Sequence, residues 1–231
     1  MNQIPKIIHQ SWKNNQLTPA IREMSDTWME QHPGWTYRFW TDDDNHNFVA
    51  THYPDFFLRY KRYPTNIQRA DAARYLILLK YGGVYADLDM ICLKNIEPLL
   101  ENATCLFGLE PTAQCERFNK DKIICNAFMA AAPEHSFFHH IFKLLMQVPI
   151  KQQSSLINVL NTTGPFLLTR AYDCFDQTDL VSLLSSSLFY PIATDERATF
   201  LSGTWNAELA KRIDRAYAVH LYWGSWWKEL L

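Results

Sequence analysis

The spacing of apolar positions along this chain changes several times, and each change marks an element. "PKIIHQSW" (5–12) opens with a short apolar run, which predicts a buried first strand. Ile21, Met24 and Trp28 recur at helical spacing through 19–31, until "HPGW" breaks the helix. "WTYRFW" (35–40) alternates and is aromatic, so it predicts a second strand. The acidic "TDDDN" behind it starts a short helix near 45–51. The next helix is the best punctuated. Thr65 is its N-cap, Gln68 three residues on completes a capping box, and Gly82-Gly83 stop it in a left-handed turn. "VYADLDMIC" (84–92) then reads as a strand, with Val84, Ala86 and Leu88 on one side and Tyr85 and Asp87 on the other.

Farther along, "CLFGLE" (105–110) and "ICNAFMAAAP" (124–133) predict strands. "HSFFHHIFKLLMQV" (135–148) and "TGPFLLTRAYDCF" (163–175) predict helices, and "AVHLYWGSWW" (218–227) a last strand and an aromatic loop. Strands alternating with helices predict an α/β fold with one mostly parallel sheet. No repeat or linker interrupts the 231 residues, so one domain spanning 1–231 is expected.

Composition narrows the partners. An apolar content of 48% argues against disorder. A net charge of −2 without any Lys/Arg block removes a nucleic-acid footprint. Five cysteines, an odd number with no C-x-x-C, argue against a zinc site or a disulfide framework and suit a reducing compartment. The N-terminus carries no secretory leader, and no apolar run reaches the roughly 18 residues of a membrane span. The expectation is a cytoplasmic protein, at most peripheral to the inner membrane face. Eight Trp suit a protein that stacks on flat rings such as bases or sugars.

The candidate chemistry sits at Asp87-Leu88-Asp89. Open α/β sheets bind ligands at the carboxyl ends of their strands, which is where this pair falls. Two carboxylates so close repel, and a hard cation, Mg²⁺ or Mn²⁺, would resolve the conflict while neutralising a substrate diphosphate. D-x-D alone says little, since chance supplies roughly one in a chain of this length. Asp42-Asp43-Asp44 contains another, which reads as an ordinary helix start. The context adds weight. Asp71 and Arg74 are i, i+3 on the helix leading into the strand and share a face, while Arg69 points elsewhere. A surface ion pair is the bland alternative. The same helix buries Leu76, Ile77 and Leu79, so its charged face is expected to border the cleft.

The pattern R-A-D-x-x-R-Y-x-x-L-x-x-Y-G-G-V-Y-x-D-x-D (69–89), preceded by "IPKIIHQSW", resembles the DXD-motif sugar glycosyltransferases of family 32. That family includes the fungal initiating α-1,6-mannosyltransferase and bacterial capsule and lipopolysaccharide enzymes, and it shares its core pattern with the clostridial glucosylating toxins. The resemblance is specific from residue 4 to about 100 and patchier afterwards. It implies a GT-A fold, a nucleotide-sugar donor, a divalent metal (Mn²⁺ or Mg²⁺) and retention of anomeric configuration.

Carried over by position, Trp12 looks like the aromatic that stacks on the donor's base. Asp71 and Arg74 look like the pair holding its sugar and phosphates, and Tyr85 lies beside the diphosphate. Asp87 resembles the ribose- and sugar-facing carboxylate, and Asp89 the direct metal ligand. Asn126 is similar to an asparagine lining the sugar pocket. His220 is a candidate further ligand beside Asp87 and Asp89, and Ser225 and Trp227 would close on the β-phosphate. Each has a structural alternative: Trp12 and Tyr85 as core, Asn126 as a strand-end cap, Gly164-Pro165 as a plain turn, His220 as an ordinary histidine. The chain has no acid matching the carboxylate that the toxins use in their C-terminal loop. The expected donor is UDP-galactose or UDP-glucose, with UDP-GlcNAc or GDP-mannose behind. The expected acceptor is an oligosaccharide or lipid-linked saccharide of a capsule or lipopolysaccharide.

Overall fold

The computed structural model describes residues 3–152 and 155–224. The first half runs Ile7–Ser11 (β1), Pro19–Gln31 (α1), Thr36–Trp40 (β2), Asp42–His52 (α2), Pro54–Lys61 (α3), Asn66–Tyr81 (α4), Gly83–Ala86 (β3), Met90–Cys92 (β4), Glu97–Leu100 (α5) and Cys105–Leu109 (β5). The second half runs Thr112–Arg117 (α6), Ile124–Ala131 (β6), Ser136–Gln147 (α7), Leu156–Thr162 (α8), Pro165–Asp173 (α9), Ser182–Leu184 (β7), Arg197–Ser202 (α10), Ala207–Arg215 (α11) and Ala218–His220 (β8).

Six strands form the main sheet in the order β2-β1-β3-β6-β5-β7. β1 runs parallel to both β2 and β3, and β5 parallel to β7. β6 lies antiparallel between β3 and β5. The sheet is therefore mixed with parallel pairs prevailing, as the alternation of elements implied. β4 and β8 make a separate antiparallel pair.

Period two distributes β3 between two cores. Tyr85 joins Leu76, Ile77, Phe107, Met129 and Phe137 on the face covered by α4 and α7. Val84 and Ala86 join Ile8, Trp28 and Phe128 on the other. The Trp28 indole donates to Met90 O at 2.9 Å and ties α1 to β4.

Three sequence expectations need correction. Thr65 caps α4, but the Thr65 hydroxyl donates to the Gln68 side chain at 2.9 Å, so only half of a capping box forms. Gly82 has φ 62° and ψ −162°, which is not the left-handed helical turn. The reason is crowding. A Cβ on Gly82 would meet Pro133 at 2.6 Å, and one on Gly83 would meet Ile7 O at 2.6 Å, so the chain passes from α4 to β3 through a gap only glycine fits.

The strand expected over 84–92 also breaks at the acidic pair. β3 ends at Ala86, and the Met90 N–H closes a turn on Asp87 O at 3.1 Å. Leu88 drops into a third core with Ile192 and Leu221, which leaves the flanking carboxylates on the rim. All five cysteines are free. Among the described residues no helix is long and apolar enough to cross a membrane.

Candidate active site

The carboxyl ends of β1, β3 and β5 and the start of β6 meet at one edge of the sheet, around a cleft of about 970 Å³. Trp12, Asp71, Arg74, Tyr85, Asp87 and Asp89 line it together. Asn126 and His220 complete the eight predicted residues that fall here. Ser225 and Trp227 lie outside the described residues.

α4 supplies a polar cluster that is buried, not a surface pair. Asp71 and Arg74 are each only 4% exposed. Their partners come from β3, β6, the turn before α9 and the acidic turn. Asn126 Nδ2 donates to Asp71 Oδ1 at 3.0 Å, and the Thr163 hydroxyl to Asp71 Oδ2 at 3.1 Å. Arg74 lies 3.3 Å from Asp71 Oδ1 and 3.0 Å from Asp87 Oδ1, and it donates to Asn126 O at 2.9 Å. Its guanidinium also sits 4.6 Å above the Tyr85 ring. The Tyr85 hydroxyl in turn donates to Asp87 at 3.3 Å and meets Ser11 Oγ at 3.0 Å.

One cation thus serves two carboxylates, and the electrostatics follow from that. Burial raises Asp71 to about 6 despite the pull of Arg74. Burial raises Asp87 as well, against the same guanidinium, with Asp89 pushing further upward. Burial opposes the charge on Arg74, but Asp87 and Asp71 outweigh it and hold the arginine charged.

Asp89 has other company. His220 Nε2 stands 3.2 Å from Asp89 Oδ1, and the Trp223 backbone N–H donates to Asp89 Oδ2 at 2.9 Å. The Leu221 N–H binds Asp89 O at 2.9 Å. β8 and the segment after it are therefore anchored on the acidic turn. Burial works against the charged imidazole of His220, but Asp89, Asp87 and Glu110 raise its pKa overall. Asp89 itself is lowered: burial is outweighed by His220 and the Trp223 N–H.

Asp87, Asp89 and His220 offer ligand atoms that all lie within 4.8 Å of one another. Two hard carboxylate donors suit Mn²⁺ or Mg²⁺, with substrate phosphate oxygens left to complete the shell, and the softer imidazole tilts the set towards Mn²⁺. The negative potential that draws a proton to His220 is the one a cation would satisfy. The donor set fits the ion that the acidic pair predicts.

Residues 19–106 match the family described as "Glycosyltransferase sugar-binding region containing DXD motif". Inositol phosphoceramide mannosyltransferase 3 of Schizosaccharomyces pombe is 36% identical over 166 residues, 72% of this chain and 44% of that protein. An uncharacterized glycosyltransferase of Acanthamoeba polyphaga mimivirus is 30% identical over 194 residues, 81% of this chain and 73% of that one. The chain belongs to the DXD glycosyltransferase family. It spans less than half the length of the fungal relative. The fold is the GT-A arrangement: the PaToxG glycosyltransferase superposes with a TM-score of 0.54 at 15% identity, over 94% of this chain and 90% of that one.

The family match covers Asp71, Arg74, Tyr85, Asp87 and Asp89 but not Trp12, Glu110, Asn126 or His220. Two residues at the site escaped sequence reasoning. Thr163 precedes Gly164, the N-cap of α9, and its only signal was the Gly164-Pro165 turn beside it. Glu110 ends an apolar strand and carried no pattern at all.

Proposed function

We propose that this chain is a metal-dependent, retaining hexosyltransferase that draws on a nucleoside diphosphate sugar. The observation that carries the reading is the shared use of Arg74 by Asp71 and Asp87, beside the Asp87–Asp89–His220 donor set. Such an edge concentrates fixed charge where a diphosphate would leave. A divalent cation held there would neutralise the leaving diphosphate and orient its oxygens.

The protein's own residues supply the remainder. Arg74 is preorganised in a dry setting, so its charge stabilises the departing oxygens at little reorganisation cost. Asp71, fixed by Asn126 and Thr163, offers acceptor oxygens to sugar hydroxyls. Trp12 offers a planar face to the base. With charge stabilisation as the main resource, attack comes on the face from which the diphosphate departs. The diphosphate takes the acceptor's proton, the acceptor oxygen bonds to the anomeric carbon, and the sugar–phosphate bond breaks with its electrons going to the diphosphate.

The relatives shift the donor preference. The yeast protein is named a mannosyltransferase, which favours GDP-mannose over the UDP-galactose or UDP-glucose suggested by the sequence. Its name also supports an inositol phosphoceramide-like or other lipid-linked acceptor, reached from a membrane surface. The test is donor hydrolysis. Purified protein is incubated with GDP-mannose, UDP-glucose, UDP-galactose and UDP-GlcNAc, with Mn²⁺ or EDTA, and released nucleotide is assayed. The expected result is Mn²⁺-dependent release of GDP from GDP-mannose, with α-mannose as the first-formed sugar by NMR. Failure of every donor to react, and also to bind by calorimetry, would overturn the reading. Binding without release would instead make the chain a nucleotide-sugar-binding protein on a transferase fold.

A further inference from the structure

Neighbouring residues of a strand point to opposite faces of the sheet, and β6 divides the cleft in this way. Asn126 reaches Asp71 on the α4 side. Cys125 belongs to the opposite core with Phe128 and Tyr190, and it is there that Glu110 lies. Glu110 follows β5 directly, its backbone N–H bound to Ile123 O at 2.8 Å. It lines the cleft with Cys125, His220 and Tyr222.

Among the described residues, the buried Glu110 Oε2 has no hydrogen-bond partner, and neither has the Tyr222 hydroxyl beside it. The Cys125 thiol and the Tyr222 hydroxyl are close enough to favour the carboxylate, but neither completes a hydrogen bond to Oε2, and burial raises the pKa overall. A buried carboxylate oxygen without a donor is costly. Such orphans are rare in folded proteins and ask for a missing partner.

Of the arginines that line the cleft, Arg197 is turned to Leu221 O and Tyr222 O, each at 3.4 Å. Arg74 serves Asp71, Asp87 and Asn126. The atoms that converge on a cation belong to Asp87, Asp89 and His220, and Glu110 is outside that set. A hydroxyl suits this acceptor, and in a cleft read as a nucleoside diphosphate sugar site the entering hydroxyls are those of the sugar. We infer that Glu110 is a specificity-determining residue, accepting a hydrogen bond from a hydroxyl of the donor's hexose, with the Tyr222 hydroxyl completing the same subsite. This rests on the reading of the cleft as a nucleotide-sugar site. A pocket with a buried acceptor discriminates strongly, because a sugar whose hydroxyl turns away leaves that acceptor unpaired. Glu110 would therefore separate hexose epimers that present the same diphosphate to Arg74.

The experiment compares bare and sugar-bearing nucleotides. Wild-type protein, Glu110→Gln and Glu110→Ala are titrated by calorimetry in Mn²⁺ with GDP and GDP-mannose, UDP and UDP-glucose, and UDP and UDP-galactose. For the sugar nucleotide that wild type prefers, Glu110→Ala is expected to weaken binding about 10- to 100-fold. Glu110→Gln, which keeps a carbonyl acceptor, should lose less. The matching bare diphosphate should stay within about twofold, which also reports that the fold is intact. Preference between UDP-glucose and UDP-galactose, or for GDP-mannose over both, should narrow. Unchanged sugar-nucleotide affinity would overturn the assignment. Equal losses for bare and sugar-bearing nucleotides would make its role structural. If wild type bound no nucleotide of either kind, the donor-site reading would fall and this inference with it.

Discussion

The two walls of the cleft are finished to different degrees. On the α4 wall both oxygens of Asp71 are occupied, and the terminal nitrogens of Arg74 are held by two carboxylates and a backbone carbonyl, although its Nε is buried without a partner. On the other wall Glu110 Oε2, His220 Nδ1 and the Tyr222 hydroxyl are all buried without partners among the described residues. The first wall holds its charge in place before any ligand arrives, which is what electrostatic stabilisation of a leaving group requires. The second has unpaired polar atoms, which is what discrimination between sugars would use. On the reading proposed above, the difference separates machinery for chemistry from machinery for choice. The acidic turn joins the two, because Asp87 answers to Arg74 and Asp89 to His220.

The largest effect should come from cutting that joint. Asp89→Asn keeps an acceptor for the Trp223 N–H but loses the charge that a cation needs. Metal charge stabilisation is worth several kcal/mol, so donor turnover in Mn²⁺ should fall roughly 10³-fold. The melting temperature should move by only a few degrees. Turnover within tenfold of wild type would remove Asp89 from the metal site. A collapse in melting temperature would mean that the turn is held by its ion pair more than by its backbone.

The completeness of the α4 wall has a pH signature. The Asp71 carboxyl is raised to about 6 from an ordinary value of 3.8, burial being the main cause. Folded protein then binds more protons at this site than unfolded protein between those two values, so stability falls as pH rises through that window. Above it the full penalty applies, about 3 kcal/mol at about 1.4 kcal/mol per unit. Asp71→Asn cannot titrate. Denaturant unfolding of the two proteins from pH 3.5 to 7.5 should show wild type losing ground to the variant across the window and holding level above it. Parallel profiles would mean that Arg74 neutralises Asp71 fully and that the wall carries no electrostatic tension.

The contrast between the walls also governs what a reader of the sequence could see. While Asn126 and Thr163, which hold Asp71, come from far along the chain, the charged residues of the first wall come from one continuous stretch, Thr65 to Asp89. The N-cap, helix period, glycine stop and acidic pair follow in register there, so Asp71, Arg74, Asp87 and Asp89 were visible together. Even so, local pattern misjudged their setting: α4 is buried from Asp71 through Leu79, because α7, α8 and α2 cover faces that the helix period alone leaves open. The second wall is assembled from β5, β6 and β8, whose residues 110, 125, 220 and 222 are far apart in sequence. Glu110 reads there as an ordinary polar strand end, and nothing local predicts that Cys125 and Tyr222 will close over it. The break at Asp87-Leu88-Asp89 was missed for a related reason. Its cause is the distant β8, which claims Met90–Cys92 for a second sheet.

The smallest effect tests whether the comparison extends to the base. Trp12 follows β1, is half-buried, lines the cleft and packs in the core that holds Leu88 and Leu221. Its backbone N–H binds Trp40 O at 3.0 Å, so its position does not depend on the indole. Stacking of a base on an aromatic side chain is worth about 1–3 kcal/mol. Trp12→Ala should therefore raise the donor KM about tenfold, with kcat nearly unchanged, as for an interaction made equally in ground and transition states. The loss should be the same for GDP and GDP-mannose, since the base is common to both. That is the mirror image of the Glu110 result, where only the sugar-bearing nucleotide suffers. Trp12→Phe, which keeps a ring for packing and part of the stacking face, should recover most of the affinity. A normal KM in Trp12→Ala with a lowered melting temperature would make Trp12 a core residue, and the base would then have to sit against another part of the cleft.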